Sequence, residues 1–86
     1  MPKVLLDFLG YTFYFWANEN AEPPHIHVSK GKQIPNSTKY FITRDGIELA
    51  HNNSRIPASD LKKIERYILA NQDTILARWY RVFEMQ

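Results

Sequence analysis

The chain has no cysteine among its 86 residues, which excludes disulfides and also a thiolate nucleophile or metal ligand. It has no apolar run near the roughly 20 residues that a membrane-spanning helix needs. The apolar patch Val4-Leu5-Leu6 is too short for the core of a signal peptide, and no small-residue cleavage site follows it. We therefore expect a cytoplasmic protein without membrane association.

The chain also lacks an excess of charge of either sign, since 11 lysines and arginines against 9 aspartates and glutamates give a net charge of only +2. Such a balance permits a nucleic acid or an acidic protein as partner, but it demands neither. Aromatic residues, in contrast, make up 14% of the chain. Each large aromatic side chain buries roughly 150–250 Å², which helps a small core. We expect residues 1–86 to form a single domain that buries about 60–65% of its unfolded surface.

The most informative segment is Pro23-Pro24-His25-Ile26-His27-Val28. The two prolines fix φ and disfavour a helix, so the segment enters an extended conformation. In a strand, His25 and His27 project from one face, while Ile26 and Val28 project from the other. The alternation predicts surface imidazoles above a core of Ile26 and Val28, so alanine substitution of either histidine is expected to cost little stability.

The first two-thirds of the chain read as strands separated by turn residues. Gln33 to Ser37 is a poor strand because it contains Pro35 and Asn36. Asp45-Gly46 predicts a two-residue type I′ turn, in which Tyr40 opposes His51. The predicted strands are Val4 to Leu9, Tyr11 to Ala17, His25 to about Ser29, Thr38 to Thr43, and Ile47 to Asn52.

The last third has the apolar periodicity of two helices. Ser59 or Asp60 is a candidate cap for a helix to about Ala70, and Asp73 for a second helix to about Glu84. The sequence therefore predicts an α+β fold: a small, mostly antiparallel sheet of four or five strands followed by two C-terminal helices. Aromatic residues on both faces of the second strand require cover from helices or from another subunit.

A family resemblance is carried by three features of the chain. The aromatic strand Phe13-Tyr14-Phe15-Trp16 precedes an Asn/Glu-rich loop, the loop leads into the Pro-Pro-His-Ile-His-Val run, and Leu76-Ala77-Arg78-Trp79 lies near the C-terminus. Over nearly its whole length, the chain resembles a small bacterial domain family of unknown function with the motif Pro-Pro-His-x-His-Val/Ala. Members often have a histidine before the prolines, where Glu22 stands here.

The resemblance also implies a genomic context. Genes of this family often lie beside a second small gene, in an arrangement similar to a two-gene toxin–antitoxin pair. It implies that the partner is the product of the adjacent gene. The aromatic sheet face and the second helix could also pair with a second copy of the chain, so a homo-oligomer is the other expected association. Nucleic acid stays an alternative partner.

The paired histidines leave three roles open. Imidazoles at i and i+2 on a strand can share a metal ion, with Glu19, Glu22 or His51 completing its shell. They can also be structural groups that hydrogen-bond to the loop. With no cysteine and no defined third ligand, we expect no metal and no cofactor.

The third role is acid–base catalysis in a metal-independent ribonuclease. One of His25 and His27 would act as general base and the other as general acid. A cation among Lys30, Lys32 and Arg44 would hold the phosphate. We rank first a small binding module, one half of a toxin–antitoxin-like pair, with Glu19, Glu22, Lys30, Lys32 and Arg44 as candidate binding residues. The ribonuclease is the alternative.

Overall fold

A computed structural model describes residues 3–16 and 21–84 of the chain, without the side chain of Glu84. The described part forms five strands and then two helices, which confirms the predicted α+β class. The strands are β1 (Lys3–Phe8), β2 (Tyr11–Tyr14), β3 (His25–Lys30), β4 (Thr38–Thr43) and β5 (Gly46–His51), and the helices are α1 (Ala58–Ala70) and α2 (Gln72–Trp79).

The five strands form one antiparallel sheet in the order β1-β2-β3-β4-β5. β1 and β2 are joined by Leu9-Gly10, between the paired residues Phe8 and Tyr11. Leu9 has φ 55° and Gly10 has φ 80°. Positive φ at both central residues is what a type I′ hairpin requires, and glycine meets that requirement without steric cost.

The predicted register of the second hairpin is wrong. Thr43 pairs with Gly46 and Tyr40 pairs with Leu49, so the two central turn residues are Arg44 and Asp45. Neither central residue has positive φ, whereas Gly46 has φ 147°. A turn with glycine in its last position is typical of type I rather than type I′.

A bulge then changes the face on which His51 lies. Lys39 pairs with His51 while Tyr40 pairs with Leu49, so Ala50 is the extra residue in β5. Directly opposed residues share a face of the sheet. His51 therefore lies on the Lys39 face, and the prediction that it shares a face with Tyr40 is wrong.

One face of the sheet packs against the helices and forms the hydrophobic core. Alternation along the strands directs one set of side chains toward α1 and α2. Each amphipathic helix contributes two buried residues on its apolar side. The main core residues are Phe13, Ile26, Val28, Tyr40 and Ile42 from the sheet, with Ile64, Ile68, Ile75 and Trp79 from the helices.

On the opposite face, Tyr14 and Ser29 are covered from within the chain by residues 31–37, here called the covering segment. The Tyr14 hydroxyl donates to the carbonyl of Ile34 at 2.6 Å and accepts from its N–H at 3.1 Å. The hydroxyl of Ser29 donates to the carbonyl of Lys32 at 2.7 Å. These bonds bring a segment without strand structure over the sheet, so Tyr14 is fully buried without a second subunit.

The helices begin and end close to the predicted residues, but their caps differ. α1 follows Pro57, and α2 follows Asn71; neither N-terminus has a side-chain cap bond. α2 ends earlier than expected, and a π-helical turn, Tyr80–Glu84, continues it. Within the described ranges, no helix is long and apolar enough to cross a membrane.

Two tyrosine–carboxylate hydrogen bonds attach α1 to the sheet. The Tyr11 hydroxyl donates to Asp60 at 2.7 Å, and the Tyr40 hydroxyl donates to Glu65 at 2.6 Å. Burial, followed by the hydrogen bond and the negative charge of Asp60, raises the pKa of Tyr11 to about 12. The same causes, with Glu65 as partner, raise the pKa of Tyr40 even further. Asp60 is therefore bound to the sheet rather than capping its own helix.

Removal of the Tyr11 hydroxyl is expected to lower the free energy of unfolding by about 1.5–3 kcal/mol at neutral pH, because a hydrogen bond to a charged acceptor is lost. The raised pKa predicts that this advantage of wild type over Tyr11→Phe is complete below about pH 10, where the unfolded phenol is protonated. It should shrink as the pH rises toward about 12, the folded pKa. Urea unfolding followed by tryptophan fluorescence at several pH values measures this difference.

The matched control is Tyr80→Phe, which removes an exposed hydroxyl that makes no hydrogen bond to the described residues. It should leave the free energy of unfolding at neutral pH within about 0.5 kcal/mol of wild type. A Tyr11→Phe deficit that stays constant at all pH values would contradict the assigned hydrogen bond.

Candidate functional site

The histidine motif begins the central strand of the sheet. Pro23 and Pro24 precede it, and the Pro24 carbonyl accepts a hydrogen bond from the Ile42 N–H at 2.9 Å. Proline cannot donate to a sheet ladder, so pairing through N–H groups starts at His25. β2 and β4 then flank β3 on its two sides, which places the motif in the middle of the sheet.

Both imidazoles are buried, so the prediction that they lie at the surface is wrong. His25 is 0% exposed and His27 is 3% exposed. Ile26 and Val28 lie in the core, as the alternation predicted. The alternation assigned the faces correctly, but both faces are covered, because the chain closes over the histidine face as well.

His25 is held by a polar contact and by aromatic rings. Its Nδ1 lies 2.9 Å from the Pro23 carbonyl oxygen. A carbonyl only accepts hydrogen bonds, so Nδ1 is the donor and carries a proton. The ring centroid of His25 lies 4.9 Å from that of Trp79, 5.2 Å from that of His27 and 6.0 Å from that of Phe41. These contacts join the motif to α2 and to β4.

His27 continues the same row of rings across the sheet. Its ring stacks on Tyr14 with centroids 5.8 Å apart. Tyr14 in turn contacts Trp16 at 6.1 Å. The aromatic side chains therefore connect the covering segment, the motif and the end of α2 in one packed layer.

An ion pair beside the motif involves one residue that the sequence predicted and one that it did not. Glu22 forms an ion pair with Lys39, whose side chain is only 13% exposed. Lys39 is the cross-strand partner of His27, and its ammonium lies 5.1 Å from the centroid of Phe41. The pair fixes the chain before Pro23 against β4. Lys39 was missed because an isolated lysine in a strand carries no signal of its partner.

The other predicted binding residues do not gather around the histidines. Lys30 lies on the opposite face, with its ammonium 4.9 Å above the ring of Tyr11. The side chains of Lys32 and Arg44 are exposed in separate turns of the chain. Glu19 lies outside the described residues.

In the described ranges, no group of three or more histidine, aspartate or glutamate side chains is close enough to hold a metal ion. His51, a candidate third ligand, is separated from His27 by Lys39 in the sheet. A lysine in that position repels a cation. The residue types present here favour packing and hydrogen bonding over metal chemistry.

A second candidate site follows the outer strand β1. A cleft of about 650 Å³ lies between β1 and the helices and includes Leu5, Asp7 and Tyr67 in its lining. A smaller cleft of about 260 Å³ continues it toward Phe15 and Val82. The two clefts share Lys3, Val4 and Arg78, so they form one continuous surface, here called the β1 cleft.

The burial of His25 changes the expected result of its substitution. His25→Ala removes a ring that packs against three aromatic side chains, so we expect a loss of about 2–4 kcal/mol in the free energy of unfolding. Lys32→Ala, an exposed substitution in the following turn, should cost less than about 0.5 kcal/mol. Chemical denaturation measures both. A loss below about 1 kcal/mol for His25→Ala would contradict the buried position.

Comparison with known proteins places most of this architecture in one family. Residues 10–80 match the family described as Domain of unknown function (DUF4160). No curated protein and no solved structure matches the chain. The matched residues include the histidine motif, the covering segment and both helices, whereas β1 precedes them. Because the match covers most of its length, the chain belongs to the DUF4160 family.

Proposed function

We propose that the protein is a cytoplasmic binding module whose partner is another protein. The observation that carries this proposal is the edge of the sheet at β1, beside which the described residues place no further strand. Leu6 in β1 is 83% exposed, beside the β1 cleft. A sheet edge presents backbone N–H and C=O groups that another chain can pair with. In contrast, the motif histidines are buried and support the fold.

The partner we favour is the product of an adjacent small gene. This choice rests on the resemblance to families encoded in two-gene, toxin–antitoxin-like pairs. Such a partner would use the exposed edge, while buried residues of the motif keep β3 and the covering segment in place. A second copy of the chain is the competing partner, since an open edge can also pair with itself.

Coexpression with the adjacent gene product is expected to yield a complex that copurifies and elutes as one species. Light scattering of the eluted peak gives its stoichiometry, and the protein purified alone provides the baseline. Expression of each gene alone and of both together, with growth as the readout, tests the toxin–antitoxin relation. We expect one of the two genes to stop growth and coexpression to restore it.

Two results would contradict this proposal. Separate elution of the two proteins after coexpression would reject the adjacent gene product as partner. Normal growth with either gene expressed alone would reject the toxin–antitoxin relation. A stable homodimer of the protein purified alone would favour the second copy.

The metal-independent ribonuclease stays the alternative function, because the imidazole centroids of His25 and His27 lie only 5.2 Å apart on one sheet face. Their burial and the dispersed positions of Lys30, Lys32 and Arg44 do not favour it. In-line phosphoryl chemistry also prefers acid and base on opposite sides of the phosphorus.

We therefore expect purified protein to cleave RNA no faster in EDTA than a His25→Gln/His27→Gln variant, which retains polar side chains of similar length. Circular dichroism of the variant is the folding control. If wild type cleaves RNA in EDTA with a bell-shaped pH profile and the folded variant does not, the ribonuclease becomes the better proposal. General acid–base groups contribute about 10²–10⁴-fold, so the difference would be easy to detect.

A further inference from the structure

We propose that the β1 cleft binds an extended, acidic segment of a partner protein, which adds to the sheet as a sixth strand. This inference deepens the proposed function by naming the surface and the chemistry of the partner. It rests on three features of the described residues: the unpaired side of β1, two arginines without partners, and apolar side chains that line the same cleft.

The first feature is the pairing of β1 on one side only. β2 is its neighbour in the sheet, and the described chain places no strand on its other side. The register with β2 shifts twice, between Lys3 and Leu5 and between Leu5 and Phe8. As a result, the adjacent residues Val4 and Leu5 are both buried, while Leu6 points out. Strand addition would give Leu6 a neighbour and would use the outer backbone groups of β1.

One backbone carbonyl group of β1 already accepts a hydrogen bond from a side chain, that of Tyr67. The Tyr67 hydroxyl donates to the carbonyl oxygen of Leu6 at 2.8 Å, from α1 across the cleft. Tyr67 also stacks on Phe8, with centroids 4.6 Å apart. Tyr67 thus forms one side of the cleft, and the Leu6 carbonyl oxygen, which has two lone pairs, keeps one for an incoming strand.

The second feature is positive charge. Arg78 and Arg81 line the cleft and make no hydrogen bond or ion pair with the described residues. Lys3 is balanced by Asp7, with Nζ and Oδ1 3.2 Å apart. Among the described residues that line the cleft, the cations without a counter-charge are therefore the two arginines, whose planar guanidinium groups match carboxylates in a two-bond geometry.

The third feature, the apolar lining of the cleft, favours a peptide over a nucleic acid or a second copy of the chain. Val4, Phe15 and Val82 line the same part of the cleft as the arginines, which suits the apolar side chains of an alternating strand. A nucleic acid would need stacking aromatic faces and a longer track of cations. A second copy would bring the same unpaired arginines to the contact and carries the same net charge of +2. An acidic, alternating segment satisfies both the charge and the apolar lining.

The probe is a short fluorescein-labelled peptide that alternates glutamate and valine, titrated with protein and followed by anisotropy. We expect binding by wild type and at least about tenfold weaker binding by Arg78→Glu/Arg81→Glu, because like charges then face each other. The control is Lys62→Glu/Arg66→Glu, which makes the same change of net charge on the exposed side of α1. It should bind within about threefold of wild type, since distant exposed charges are largely screened.

A second peptide tests strand addition itself. The same sequence N-methylated at alternate residues keeps its charge but loses backbone donors, and we expect it to lose binding. The inference would be overturned if Arg78→Glu/Arg81→Glu and the control Lys62→Glu/Arg66→Glu lost peptide affinity equally. It would also be overturned if the methylated peptide bound as tightly as the unmodified one. A single-stranded oligonucleotide that binds more tightly than the peptide and is sensitive to the same arginines would have the same consequence.

The outcome is separable from that of the proposed function. If the adjacent gene product copurifies equally with wild type and with Arg78→Glu/Arg81→Glu, the binding module stands and the β1 cleft is rejected as its docking site. If the peptide binds as expected while the gene product does not copurify, the cleft stands and the identity of the partner changes.

Discussion

The structure depends on the burial of β3 on both of its faces. Five of its six residues are buried, and three of them, His25, His27 and Ser29, carry polar side chains. A buried polar group without a partner costs a few kcal/mol, so a face of this kind needs acceptors and donors above it. The chain supplies two of them locally: the Pro23 carbonyl oxygen accepts a hydrogen bond from His25 Nδ1, and the Lys32 carbonyl oxygen accepts one from the Ser29 hydroxyl. Pro23 before the strand and the covering segment after it are therefore held in place by the strand.

This requirement explains why so small a domain has two covered faces. The helices bury one face by hydrophobic packing. On the other face, the covering segment buries Tyr14 and Ser29 through hydrogen bonds, and aromatic rings pack around His25. Because these bonds are directional, they position a segment that has no regular structure of its own. The tyrosine–carboxylate bonds of Tyr11 and Tyr40 have the same role between the sheet and α1.

The helices and strands were predictable from the sequence to within a few residues, but the burial of the histidine face of the sheet was not. Alternation predicted the faces of Ile26 and His27, because period two is a local property of a strand. The burial of Tyr14, on which the His27 ring stacks, depends on residues 31–37, whose single proline, glycine and polar groups show no periodicity. The hairpin register failed for a related reason. Asp45-Gly46 has the composition of a type I′ turn, yet the chain forms that turn's geometry at Leu9-Gly10 and places Arg44-Asp45 at the second turn.

The residues that stabilise the fold differ from those that are available to a partner: the first lie in the buried histidine motif, and the second at the β1 edge of the sheet. A motif of unusual composition attracts a functional interpretation, but His25 and His27 have their contacts inside the chain. The unsatisfied features lie at the sheet's edge instead: Leu6 is exposed, and Arg78 and Arg81 lack counter-charges among the described residues. Neither feature is visible from local sequence, because Arg78 and Leu6 are distant along the chain and meet only after α2 packs against β1. Binding at the edge would leave the buried layer intact, so recognition and stability can change independently through different residues.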